Sequence, residues 1–228
     1  MNCKPLLILA SVVVSVSAFG QCRYCNSYED FFADRWEHLD TVYCDDLSDI
    51  HKFWLRGSDY TLTTGDKDLD KKLNQSAFAV RVNDVVFVNT SKLHFEKATF
   101  GKGYTQAVLI EGDQLLFVSR LIGKESRKRI DKATDDLGVA FGLIGVGAAI
   151  ASTRKQHIRD GVCYLISSGT DDKGQITIKM VDDTLMDKLL LSRNLTDLHN
   201  KYYAETDKYK RKLAARVLPI LKKAGIIE

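Results

Sequence analysis

Two segments of this chain carry the pattern of a β-hairpin, and they constrain the fold more than any other feature. Residues 79–88 place two apolar runs around an Asn-Asp dipeptide, and residues 107–118 place two apolar runs around a Gly-Asp dipeptide. Asn, Asp and Gly tolerate the positive φ angles that tight hairpin turns require. The sequence therefore predicts antiparallel hairpins within residues 78–122.

A third hairpin and several helices complete the predicted fold. Residues 162–180 contain two further apolar runs, and the second run alternates as a half-buried strand does. A helix is predicted from Tyr28 with Ser27 as its N-cap, and helices are expected over the C-terminal third. Pro219 is expected to kink or divide the last of them, at 207–224. The predicted class is α+β, with antiparallel hairpins forming a sheet and with N-terminal, central glycine-rich and C-terminal helices.

The N-terminus has the composition of a secretory signal peptide over residues 1–20. Lys4 precedes the apolar run 6–14, and Ala18 and Gly20 are the small residues that a cleavage site requires. The sequence therefore predicts an exported protein located in the periplasm or the cell envelope.

Composition limits the class of the remaining chain, residues 21–228, for which we predict a single α+β domain. Over the whole chain of 228 residues, hydrophobic residues make up 45% and charged residues 28%, as in ordinary globular proteins. The net charge of +3 is too small to indicate a nucleic-acid surface. No nucleic-acid partner is predicted.

The apolar segment 137–152 is rich in glycine and has three competing interpretations. Gly138 and Gly142 form a GxxxG motif, and Gly145 with Ala149 extends a ridge of small residues that permits close helix packing. The segment is a helix buried against the sheet, a membrane span, or a segment that inserts or self-associates under some condition. Its length is short for a span, which usually needs about 20 residues.

Four cysteines remain after the signal peptide, namely Cys22, Cys25, Cys44 and Cys163. Cys22 and Cys25 form a CxxC motif, which in thiol-redox enzymes follows a strand and opens a helix. In an oxidising compartment, two disulfides in any of three pairings are the default expectation. No spacing typical of a zinc site, a hydrolase nucleophile or a cofactor loop is present, so no metal, cofactor or catalytic residue is predicted.

The order of several segments is informative, namely the glycine-rich run and residues 27–31, 53–56, 63–67, 100–104 and 162–166. In this order the chain resembles a family of uncharacterised exported proteins of Gram-negative anaerobic bacteria. The resemblance covers most of the chain after the signal peptide. It implies an exported location and supplies no activity and no functional residues.

Three functions follow from these observations, in order of preference. The first is a non-enzymatic envelope or periplasmic protein with a binding or structural role. The second is a membrane-associated protein that inserts or self-associates through 137–152. The third is a thiol-redox protein that uses Cys22 and Cys25. The ligand and partner are not specified by the sequence.

Overall fold

The computed structural model describes residues 21–47, 58–125, 161–169 and 176–227. Within these ranges the chain forms twelve strands and six α-helices. The strands are β1 (Cys22–Cys25), β2 (Glu37–Leu39), β3 (Tyr43–Asp46), β4 (Tyr60–Thr63), β5 (Ala79–Val82), β6 (Val85–Asn89), β7 (His94–Phe95), β8 (Ala98–Thr99), β9 (Tyr104–Ile110), β10 (Gln114–Arg120), β11 (Gly161–Ser167) and β12 (Thr177–Met180). The helices are α1 (Tyr28–Phe32), α2 (Lys67–Gln75), α3 (Asp183–Leu191), α4 (Thr196–Tyr203), α5 (Lys208–Lys212) and α6 (Ala214–Lys223).

Ten of these strands form one antiparallel sheet. Its main path runs β12-β11-β10-β9-β6-β5-β1-β2, and the β3–β4 pair joins it through a contact between β4 and β9. The strands β7 and β8 form a separate small hairpin. The α+β class predicted from the sequence is confirmed.

Two of the predicted hairpins are present at their predicted turns, and residues 170–175, which link the strands of the third, lie outside the described residues. β5 and β6 are joined at Asn83, whose φ is 54°. β9 and β10 are joined through Gly112 and Asp113, with φ of 75° and 55°. These left-handed conformations are ones that Asn, Asp and Gly adopt at low cost, which is why these residues set the hairpin registers. β11 and β12 pair antiparallel as the third hairpin requires.

One face of the sheet carries most of the aromatic core, and we call it the aromatic face. Phe117 and Tyr164 lie opposite each other on β10 and β11 with ring centroids 5.5 Å apart. Phe100 packs edge-on to both rings, at 5.3 and 4.9 Å. The helix α1 adds Tyr28 and Phe31 to the same core, so the N-terminal segment closes this side of the sheet.

The opposite face carries two separate layers. Helices α3 to α6 pack on β9, β10 and β11 through a core that includes Leu116 and Leu165, and we call this the helical layer. The helix α2 and the β3–β4 pair cover β1, β5 and β6 through a core that includes Val80 and Phe87. These two layers leave the middle of the sheet between them.

The helix starts follow local capping chemistry. Ser27 accepts a hydrogen bond from the Asp30 N–H at 3.0 Å, as predicted for α1. Asp182 caps α3 in the same way through the Leu185 N–H. Such caps satisfy N–H groups that the first helical turn cannot bond internally.

The C-terminal helix divides at a different residue from the one predicted. Pro219 lies inside α6, and the division falls at Leu213, whose ψ of 137° is extended. Leu213 forms an isolated bridge with Val162, so a contact with the sheet sets the break. Pro219 therefore does not divide the helix, and the alternative that it kinks α6 stays a prediction.

The glycine-rich segment 137–152 lies outside the described residues, as do residues 1–20, for which a signal peptide is predicted, and residues 53–56. Among the helices of the described ranges, none has the length and hydropathy needed to cross a bilayer.

Candidate functional site

The sheet divides between β9 and β10, and this division creates the candidate site. The two strands pair from Ile110 opposite Gln114 to Ala107 opposite Phe117. Beyond that point Tyr104 of β9 pairs instead with Tyr60 of β4. Phe117 is therefore the last residue of β10 that pairs with β9, and the start of β9 has β4 beside it instead.

Two polar side chains, those of Thr105 and Asp59, connect the segments that meet where β9 and β10 separate. The Thr105 hydroxyl lies 2.6 Å from a carboxylate oxygen of Asp59 and 3.2 Å from the Val118 carbonyl oxygen. The Asp59 N–H donates to the Tyr104 carbonyl at 2.9 Å. These contacts connect β9 with β10 and with the residue that precedes β4, and they hold the Asp59 carboxylate, which lines the cleft described below.

Gly103 allows the segment before β4 to approach β9 closely. Its φ is 137°, and a Cβ there would lie 2.8 Å from the Tyr60 carbonyl oxygen and 2.9 Å from the Ser58 Cβ. A side chain at this position would push the β4 segment away. Ser58 is fully buried, and its hydroxyl lies 2.7 Å from that of Thr90.

A cleft of about 570 Å³ opens at the division, between the helical layer and β4. Its floor includes Val108 and Leu116, and its helical wall includes Leu218 and Ile227. Val108 is 36% exposed although it belongs to a strand in the middle of the sheet. An apolar cleft of this size is within the range of small-molecule sites.

The lining of the cleft includes one cation, on its helical side. Lys222 lines the cleft and is exposed. Lys201, Lys223 and Arg216 form a separate group of cations on the helical layer, where the side-chain interaction with Lys223 is the main cause of a lowered pKa at Lys201. A negative group beside Lys222 would be favoured by the charge of that lysine.

The CxxC pair lies on β1 with its two thiols on opposite faces of the sheet. Cys25 belongs to the core of the aromatic face, whereas Cys22 belongs to the core beneath α2 and β3–β4. Side chains three residues apart on a strand point in opposite directions. Cys44 packs against the same core as Cys22, and Cys163 lies in the helical-layer core. All four thiols are free in the structure.

Burial makes these thiols poor nucleophiles. It raises the pKa of Cys25 and of Cys163 to about 12 and that of Cys44 to about 11. Burial raises the pKa of Cys22 as well. Redox enzymes instead lower the pKa of their attacking thiol, so these surroundings favour structural thiols. The disulfide pairing expected in an oxidising compartment stays a prediction.

The cleft residues were missed by the sequence analysis because they come from distant segments. Asp59, Thr105 and Leu218 belong to three different elements, and no local motif connects them. The packing ridge of Gly138, Gly142, Gly145 and Ala149 lies outside the described residues. Across the part of the chain that the structure describes, no group of three or more His, Cys, Asp or Glu side chains could hold a metal ion.

The fold and the cleft thus define an α+β protein with an open apolar site on a divided sheet. The model of a family of unknown function, DUF6563, matches residues 23–228, and the chain belongs to that family. This agrees with the predicted resemblance to an uncharacterised family. No curated protein and no solved structure matches the chain.

Proposed function

We propose that the protein is a non-enzymatic binding protein that holds a small amphipathic molecule in the cleft between β4 and the helical layer. The apolar cleft at the division of the sheet is the observation that carries this proposal. Residues from β9, β10 and α6 contribute to its lining, so a ligand would contact the sheet and the helical layer at the same time.

The ligand that fits best has an apolar body and an anionic end. Val108, Leu116 and Leu218 offer hydrocarbon surface to the body. Lys222 lines the cleft and is exposed, and its charge favours a carboxylate or sulfonate beside it. Asp59 also lines the cleft and accepts a hydrogen bond from Thr105, and its negative charge disfavours placing the anionic end of the ligand beside it.

Binding is tested with anilinonaphthalene sulfonate, a fluorescent apolar anion, and with decanoate as its competitor. Two adjacent positions supply a matched pair of variants. Val108 lines the cleft, whereas Leu109 follows it on the other face of β9 and is 54% exposed. The Val108→Trp indole would occupy cleft volume, and the Leu109→Trp indole would extend away from the cleft.

The expected result is saturable binding that decanoate reverses, weakened by Val108→Trp by at least about tenfold and by Leu109→Trp by less than about twofold. Lys222→Gln should weaken decanoate binding and leave binding of the neutral decanol unchanged. Equal loss from both tryptophan variants, or fluorescence that does not saturate, would contradict the proposal.

We also propose that the protein acts outside the cytoplasm, because its first residues have the pattern of a signal peptide. Mass spectrometry of the protein from fractionated cells should find the chain beginning at Gln21 in an envelope or periplasmic fraction. A chain that keeps Met1 and stays with cytoplasmic markers would contradict export.

An alkaline carbonate wash tests the alternative that 137–152 holds the protein in a membrane, which predicts retention in the pellet.

A further inference from the structure

A continuous row of side chains crosses the aromatic face and changes character near one end of the sheet. Across β10, β9 and β6, the register aligns Phe117 with Ala107 and Ala107 with Val86. The next position, on β5, is Arg81, which is opposite Val86. The row therefore passes directly from apolar side chains to a cationic one.

The row continues with Arg23, which is positively charged, and His38, which is positively charged when it is protonated. Arg81 pairs directly with Arg23 of β1, and Arg23 pairs with His38 of β2. Residues directly opposite on neighbouring strands share a face of the sheet, and like charges placed this way are destabilising. The placement of two arginines opposite each other at one register position therefore needs an explanation in the surrounding structure.

Trp36 lies against both arginines. The guanidinium carbons of Arg81 and Arg23 lie 4.8 and 5.2 Å from the centroid of its ring. Phe31 adds a second ring 5.7 Å from the Arg81 guanidinium. The aromatic rings pack against two cations that lie beside each other. Arg23 and Arg81 are both partly exposed, so this packing takes place at the surface.

This cluster has hydrogen-bond donors that are not used within the described protein. The indole Nε1 of Trp36 and the Nε of Arg81 are both buried and make no hydrogen bond. Buried donors are rarely left in this state. The cluster therefore has both positive charge and donor capacity beyond what its protein neighbours take up.

The nearby carboxylates compensate this charge weakly. Asp34 lies 3.7 Å from a terminal nitrogen of Arg23, and its side chain is 76% exposed. The charges of Asp34 and Asp84 raise the pKa of Arg81. Burial and the charge of Arg23 have the larger effect, so the pKa of Arg81 is lowered. An exposed ion pair contributes little stabilisation.

We propose that Arg81 and Arg23, supported by Trp36 and flanked by His38, form a binding site for a phosphate group. Guanidinium groups bind oxyanions through paired N–H donors in a fixed geometry. A phosphate monoester carries a charge of about −1.5 to −2 at neutral pH and can balance both arginines, whereas a carboxylate balances one. The site lies on the face opposite to the cleft and does not depend on the proposed amphipathic ligand.

The test is titration of the purified protein with inorganic phosphate and with methyl phosphate, followed by calorimetry and by the NMR signal of the Trp36 indole N–H. The signal is assigned with Trp36→Phe. Arg23→Gln and Arg81→Gln each remove one cation of the row. Arg193→Gln is the matched control, because Arg193 pairs with Glu111 on the helical side of the molecule.

We expect saturable binding that shifts the Trp36 signal and that weakens at least about tenfold in either row variant, with a change under about twofold in the Arg193 control. Arg81→Lys keeps the charge but loses the paired donors, so it should also weaken binding. Arg23→Gln should have a thermal midpoint without phosphate at least as high as that of the parent, because it removes one of two facing like charges; this separates lost binding from lost folding.

A second arm identifies the source of the phosphate group. Vesicles of phosphatidylcholine containing phosphatidic acid present the same group on a membrane surface. Vesicle binding that Arg23→Gln abolishes would assign the site to a lipid headgroup, and binding of methyl phosphate alone would assign it to a soluble phosphate. Absence of saturable phosphate binding, or equal loss in the Arg193 control, would overturn the proposal.

Discussion

The ion pair between Asp183 and Arg211 connects the start of α3 to α5, and its removal gives the sharpest prediction for stability. Arg211 is 6% exposed, and its Nε and Nη2 donate to the two Asp183 oxygens at 3.0 and 2.6 Å. The buried Tyr202 hydroxyl donates to the same carboxylate at 2.9 Å. Asp183→Asn leaves the Arg211 guanidinium buried without its counter-charge.

The expected cost follows from that loss of charge. Removing one partner of a buried ion pair costs about 3–5 kcal/mol. Asp183 is 29% exposed, so solvent reduces the effect and about 3 kcal/mol is the better figure. For a chain of this size, that lowers the thermal midpoint by roughly 6–12 °C.

Urea unfolding followed by circular dichroism measures the free energy of unfolding for the parent, Asp183→Asn, Arg211→Met and the double variant. The double variant should cost less than the sum of the two single variants, because no unpaired charge is left in it. Additive losses, or an Asp183→Asn midpoint equal to that of the parent, would refute the reasoning.

The same pair predicts a dependence on pH. Hydrogen bonds and charge from Arg211 lower the pKa of Asp183 in the folded protein. Its contribution to stability is therefore complete above the unfolded pKa and is lost as the pH falls through the folded pKa. The stability difference between the parent and Asp183→Asn should be full at neutral pH and should shrink below about pH 4.

Three further predictions concern packing. Cys25 and Cys163, whose pKa is about 12 in each case, should resist iodoacetamide in the folded protein and react once urea unfolds it; rapid native labelling seen by mass spectrometry would contradict their burial. Gly103→Ala should destabilise the fold and weaken ligand binding in the cleft, since its Cβ would meet the Tyr60 carbonyl; unchanged urea midpoint and affinity would count against this. Asn89→Ala should cost about 1–3 kcal/mol in urea unfolding, because the two hydrogens of its buried side-chain NH2 are shared among three backbone carbonyl oxygens within 3.3 Å; a smaller cost would show these bonds to be replaceable.

Elements with local signals were predictable from the sequence. The β5–β6 and β9–β10 hairpins follow from apolar runs around residues that tolerate positive φ, and α1 follows from the Ser27 cap. In each case the information lies within about a dozen residues.

Elements that depend on distant partners were not predictable. β1 is a four-residue strand that is stabilised by pairing with β2 and β5, and β5 lies more than fifty residues along the chain. The break at Leu213 depends on its bridge to Val162 of β11. The cleft needs β4, β10 and α6 in place before its lining exists, so no motif could have indicated it.

NMR of the isotopically labelled protein with decanoate tests the central claim most directly, because it reports on each residue. If the cleft is the binding site, the amide signals of Gln106, Val108, Leu218 and Ile227 should shift together and saturate at one affinity. If those signals stay fixed while decanoate binds, or shifts are spread evenly over the surface, the cleft is not the site.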